Sequence, residues 1–180
     1  MRPVQPVEVR NTDGQSGNGR TCVVLANDHP GLRRRLRWLL DGAHDLDVVG
    51  EAGDFEAALH EVAVTHPDVL VLDLRMPHGF SGERIARVRT ASPATEIVVT
   101  TMHVSEAFAA EALTAGAIGF VVADSADREL VEAVRRAGHG RPYMSPQVRR
   151  AVACQALLPR IGVRPVGGQR RYGGPWGTRR

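Results

Sequence analysis

The chain has 180 residues, enough for one domain of ordinary size plus tails, and 43% of them are hydrophobic against only 4% aromatic, so Ala, Val and Leu must fill the core. The formal net charge is a modest +3, and every basic residue is an arginine, because the chain contains no lysine. No apolar run approaches the length of a membrane span, and the polar start lacks the apolar stretch of a signal peptide. Cys22 and Cys154 match neither a disulfide framework nor a zinc pattern, which together points to a cytoplasmic protein with no membrane partner.

Residues 1–19 are rich in Gly, Asn, Gln and Pro and predict a disordered leader. Thr21–Asn27 (TCVVLAN) reads as a buried strand running into Asp28-His29-Pro30, where the proline suits the first turn of a helix. That helix, Gly31–Asp41, places Leu32, Leu36, Leu39 and Leu40 on one side. Arg33, Arg34, Arg35 and Arg37 fall largely elsewhere, as a solvated face or a docking surface. Leu46–Glu51 is a second short strand, and Phe55–Thr65 a helix with Ala57, Leu59, Val62 and Ala63 available to the core.

Asp68–Pro77 (DVLVLDLRMP) holds a nearly unbroken apolar run, Val69 to Leu72, as expected of a strand covered on both faces. The run ends on Asp73. After the loop HGFSG come a helix over 83–90, a strand over 96–102, a helix over 106–115, a strand over 119–123 and a helix over 126–137. In that last helix Leu130, Val131 and Val134 face inward. Weak helical periodicity returns at 146–158, giving a linker helix over 144–158. From Pro159 onward there are six arginines and no acid, which reads as a basic disordered tail over 159–180.

Five strands alternating with five helices indicate an α/β fold over residues 20–143: a doubly wound five-stranded parallel sheet, flavodoxin-like, in the order 2-1-3-4-5 with helices on both faces. In that order strands one and three are neighbours where the winding reverses. Asp28 and Asp73 therefore share a pocket at the carboxyl edge of the sheet, with Asn27 and Thr101 close by. Two carboxylates that close repel, and a hard divalent ion with oxygen ligands, Mg²⁺, relieves them. The same site suits phosphoryl transfer, with Asp73 as nucleophile and the Thr101 hydroxyl on a phosphoryl oxygen. His29, His78 and His103 lie in rim loops without metal-binding spacing and read as surface histidines.

Five segments carry a family likeness: ANDHP, VLDLRMP, VVTTMH, AGAIGFVVAD and GRPYMSP. Over about residues 20–145 the chain resembles a response regulator receiver domain of bacterial two-component signalling, of the NarL/LuxR variety. The resemblance implies that Asp73 is the phosphoacceptor. It also implies that Asp28, Asp73 and the backbone carbonyl of Arg75 hold Mg²⁺, with Asn27 contributing weakly through a water. Thr101 and Phe120 become the switch residues. The donor becomes a phosphohistidine on a sensor histidine kinase, and the signal leaves by protein contact, toward transcriptional regulation, through a fourth-helix, fifth-strand, fifth-helix face that can also form a homodimer.

The match has departures. Asn27 stands where the family usually has an acid, and Ala123 stands where it has a phosphoryl-contacting lysine. Phe120 lacks a tyrosine's hydroxyl, and the loop 77–82 is one residue longer than usual. Relatives carry a helix-turn-helix after the linker, but 146–180 shows no such set of helices, so DNA binding by this chain alone is not expected. The departures leave an alternative open: a pseudo-receiver acting as a phosphorylation-independent interaction module, or a truncated LuxR-type regulator. Enzymatic turnover is not expected beyond self-phosphorylation and slow hydrolysis of the same bond. An aspartyl phosphatase would need a second acid where Arg75 stands, and a nucleotide site would need a glycine-rich loop with lysine.

Overall fold

The computed structural model describes residues 19–76, 82–102 and 106–150. Their strands are β1 (Thr21–Ala26), β2 (Leu46–Ala52), β3 (Val69–Asp73), β4 (Glu96–Thr101), β5 (Gly119–Val122) and β6 (Tyr143–Met144). The helices are α1 (Pro30–Asp41), α2 (Phe55–Thr65), α3 (Gly82–Ala91), α4 (Glu106–Thr114) and α5 (Ala126–Gly138), with a 3-10 turn at Ala123–Ser125 before α5. All strands pair in parallel in one sheet ordered β2-β1-β3-β4-β5-β6. The predicted order is thus present, and a sixth strand extends it.

Alternation along the strands sends side chains to two separate cores. Val24, Ala26, Leu70, Leu72, Ile97, Val99 and Phe120 pack under α2, α3 and α4. Val23, Leu25, Val69, Val71, Val98 and Val121 pack under α1 and α5. β3 is buried at all five positions, which is why its sequence shows a run rather than an alternation. α1 begins with Pro30 after His29, whose Nδ1 accepts the Leu32 N–H at 3.1 Å, so this histidine is a helix cap rather than an idle surface group. α2 is capped by Asp54, which accepts from the Ala57 N–H at 2.8 Å. Its buried residues are Phe55, Ala58 and Val62, while Ala57 and Leu59 are only partly buried and Ala63 is exposed. The predicted apolar face of α2 was rotated by about one residue because Phe55 anchors the first turn, beneath the guanidinium groups of Arg84 and Arg87.

β6 corrects the expected five strands. Tyr143 and Met144 pair with Gly119 and Phe120 of β5, and Ser145, fully buried, locks the segment in place. The Ser145 hydroxyl accepts the Val122 N–H at 3.1 Å and donates to Glu129 of α5. A two-residue strand has no periodicity to read, so nothing in the sequence announced it. Two glycines are required by geometry. Gly116 (φ +107) turns α4 into β5, and a Cβ on Gly119 would lie 2.8 Å from Val98 Cγ2 in the adjacent strand.

Residues 146–150 are helical and Val148 is fully buried, whereas Met144, where the linker helix was expected to begin, pairs in β6. The rest of that helix, the leader up to residue 18, the basic tail, and the rim positions His78 and His103 lie outside the described residues. No helix among the described residues is long and apolar enough to cross a membrane.

Candidate functional site

The carboxyl ends of β1, β3 and β5 open into one cavity of about 490 Å³. Asp28 and His29 enter it from β1, Asp73 and Arg75 from β3, Met102 from β4, and Ala123 and Asp124 from β5. Pro30, Leu32 and Arg35 close it from α1. The two acids read from the sequence therefore do meet at one cavity. β1 and β3 are register neighbours up to Ala26 and Leu72, so the residues that follow emerge side by side.

Asp73 is 7% exposed and lines this cavity. Its carboxylate is held from both sides. The side-chain amide of Asn27 donates to Oδ2 at 2.5 Å, and the Arg75 backbone N–H donates to Oδ1 at 2.8 Å. Burial pushes the Asp73 carboxyl above the usual carboxylate range. The backbone donor from Arg75 and the Asn27 amide pull it down, while the negative charge of Asp28 pushes it further up. The net direction is upward. Asp28 itself is exposed at the cavity mouth.

Asn27 is fully buried and engaged at both ends of its amide, since its Oδ1 also accepts the His29 N–H at 2.8 Å. It is not among the residues that line the cavity. Thr101 ends β4 in register with Val122 and is 4% exposed, but it is not among the residues lining the cavity. Its neighbour Thr100, in register with Asp73, carries a buried hydroxyl with no partner among the described residues. Phe120 is fully buried beneath α4, in the layer that holds Ala109 and Ala112.

The donors at the cavity are mostly oxygens: the carboxylates of Asp28, Asp73 and Asp124 and, beside them, the main chain of Arg75. That chemistry fits a hard cation such as Mg²⁺. Among the described residues no cluster of three or more Asp, Glu, His or Cys side chains forms a metal cage, so protein carboxylates alone do not complete a coordination shell. At the β5 end, Ala123 lines the cavity with a methyl group and offers no charge.

The arginines of α1 are not simply a solvated face. Arg33 donates to the Asn27 carbonyl at 2.5 Å and lies 3.5 Å from Glu51. Arg37 pairs with Asp41 and Glu51, and Arg35 pairs with Asp127 of α5 at the cavity rim. Sequence periodicity could separate these arginines from the core. It could not show that three of the four have assigned acidic partners.

Residues 23–135 match the family model of the response regulator receiver domain. The chain belongs to the response regulator receiver family. Among curated relatives, this receiver is 38% identical over 136 residues to the DNA-binding transcriptional activator DevR/DosR of Mycobacterium tuberculosis, covering 76% of this chain and 62% of that protein. It is 35% identical over 145 residues to the probable transcriptional regulatory protein NarL of the same species, covering 80% and 67%. Its fold matches the crystal structure of a LuxR-family two-component response regulator from Aurantimonas sp. SI85-9A1, with a TM-score of 0.73 and 34% identity over 77% of this chain and 99% of the other. The chain spans between about half and two thirds of the length of several curated relatives that it matches. It is thus a receiver domain of NarL/LuxR type, a family of signalling proteins.

Proposed function

We propose that the receiver accepts a phosphoryl group on Asp73 from a phosphohistidine of a sensor histidine kinase. The observation that carries this reading is the buried Asp73 carboxylate, gripped by Asn27 and the Arg75 N–H, facing an open cavity with Asp28 at its mouth. A carboxylate oxygen attacks phosphorus, the P–N bond to the donor histidine breaks, and the imidazole leaves with its electron pair. Asn27 and the Arg75 N–H fix the carboxylate's orientation, so the attack carries little rotational cost. Asp28, Asp73 and the Arg75 carbonyl would hold Mg²⁺, with Asn27 touching one of its waters; when bound the ion supplies positive charge against the incoming phosphoryl oxygens.

The aspartyl phosphate then acts on Thr101 at the end of β4 and on Phe120 beneath α4, and so on the α4-β5-α5 face. Output follows by protein contact there, including pairing of two copies, and leads to transcriptional regulation. A cytoplasmic location follows from the kinase partner. DNA contact by this chain alone is not part of the reading, and any self-phosphorylation or slow loss of the phosphoryl group takes place at the same bond.

The test is incubation of the full chain with Mg²⁺ and acetyl phosphate, read by intact mass. The expected result is a gain of one phosphoryl group that Asp73→Asn abolishes. A second reading, a phosphorylation-independent pseudo-receiver, is favoured by one observation, the uncharged Ala123 at the β5 end. No adduct with any small donor or with a phosphorylated kinase would leave that second reading in place.

A further inference from the structure

Ala123 leaves the β5 end of the cavity without a cation, yet the cavity is not without one. Arg35 reaches the same rim from α1, lining the cavity with Asp73, Ala123 and Asp124. Its guanidinium bonds Asp127 in the first turn of α5. α1 and α5 pack together on one face of the sheet, and Val121, two residues before Ala123, belongs to that same layer. The arginine and the missing side chain therefore belong to one side of the molecule.

We propose that Arg35 supplies the charge that Ala123 lacks, binding an oxygen of a tetrahedral oxyanion on Asp73 while Asp127 holds the guanidinium from behind. This deepens the phosphoacceptor reading and rests on it. A guanidinium has five donors in a planar fork, so one edge can stay on Asp127 while another faces the anion. None of the other α1 arginines lines the cavity. Arg33 is bound to the Asn27 carbonyl and faces Glu51, and Arg37 is bound to Asp41 and Glu51. Arg75 also lines it, but from the β3 side.

Two measurements on the full chain with Mg²⁺ test this: beryllofluoride affinity by calorimetry, and the rate of adduct formation from acetyl phosphate by intact mass. An ionic hydrogen bond of this kind predicts that Arg35→Ala weakens beryllofluoride binding about ten- to hundred-fold and slows adduct formation comparably. Ala123→Lys placed in the Arg35→Ala background restores both, because the lysine returns a cation to the β5 end. Wild-type affinity and rate in Arg35→Ala would overturn the assignment of Arg35 while leaving Asp73 as phosphoacceptor. So would a loss confined to Arg75→Ala, or a loss in Arg35→Ala that neither Arg35→Lys nor Ala123→Lys restores. If the wild-type chain binds no beryllofluoride and forms no adduct, the phosphoacceptor reading fails and this inference with it.

Discussion

One amide, Asn27, ties together two strand ends that lie 46 residues apart in the chain. Its nitrogen holds Asp73 and its oxygen holds the first turn into α1 through the His29 N–H. An acid at this position would strengthen a metal site but would remove the donor and add a further negative charge beside Asp28 and Asp73. Asn27→Asp is therefore expected to destabilise the metal-free fold by about 1.5–3 kcal/mol, the range for a hydrogen bond to a charged group. Mg²⁺ should recover that loss, and its affinity should rise about ten-fold, since each 1.4 kcal/mol is a factor of ten. Urea unfolding with and without Mg²⁺ measures both; a variant as stable as wild type without metal would show that the Asn27–Asp73 bond contributes nothing. The acids of this site were legible because a charged residue ending a buried run is conspicuous. The amide's role was not, because Asn at a strand end is equally at home in a turn.

At the level of elements, α5 is fastened by a contact that periodicity does not describe. Arg135 grips Asp45, in the turn before β2, through two bonds of 2.6 and 2.7 Å. The hydrogen bonds from Arg135 hold the Asp45 carboxyl down at about 2, against an ordinary 3.8. A carboxyl whose folded pKa lies below its unfolded one stabilises the fold above the unfolded value. That contribution is lost as pH falls through the folded pKa. Asp45→Asn should thus lower stability at neutral pH and match wild type near pH 2. Both side chains are more than a third exposed, so screening keeps the effect to about 1 kcal/mol or less. Thermal unfolding across that pH range checks it, and a constant difference at all pH values would contradict the linkage. Most helix and strand boundaries were readable within one or two residues, since Pro30, Asp54 and Gly116 punctuate the chain. The burial phase of α2 was misplaced: Phe55, Ala58, Leu59 and Val62 keep the i, i+3, i+4, i+7 spacing, and the expected face left out Phe55 and Ala58.

For the molecule as a whole, the segment after α5 completes the sheet rather than merely leaving it. Ser145 bridges the Val122 N–H of β5 and Glu129 of α5, and Val148 enters the core on the α2-α3-α4 side. Ser145→Ala leaves a buried N–H without an acceptor, which costs about 1–3 kcal/mol. Hydrogen exchange at β5 and β6 together with a denaturant midpoint would report it. An unchanged midpoint would mean that β6 is only an appendage. The segment pairs with β5, one strand of the output face in the proposed function.

The order of strands and helices, the two-sided burial of β3 and the identity of the acids were all determined by the sequence alone. Each depends on local periodicity, or on a charge at the end of an apolar run. Only the tertiary structure decided that Arg35 meets Ala123 and Asp73 at one cavity, that the Asn27 amide lies on Asp73, and that Tyr143–Met144 joins the sheet. The physical reason is range. Hydrophobic pattern records which way each residue faces, whereas a contact between distant residues exists only once packing has chosen which faces meet.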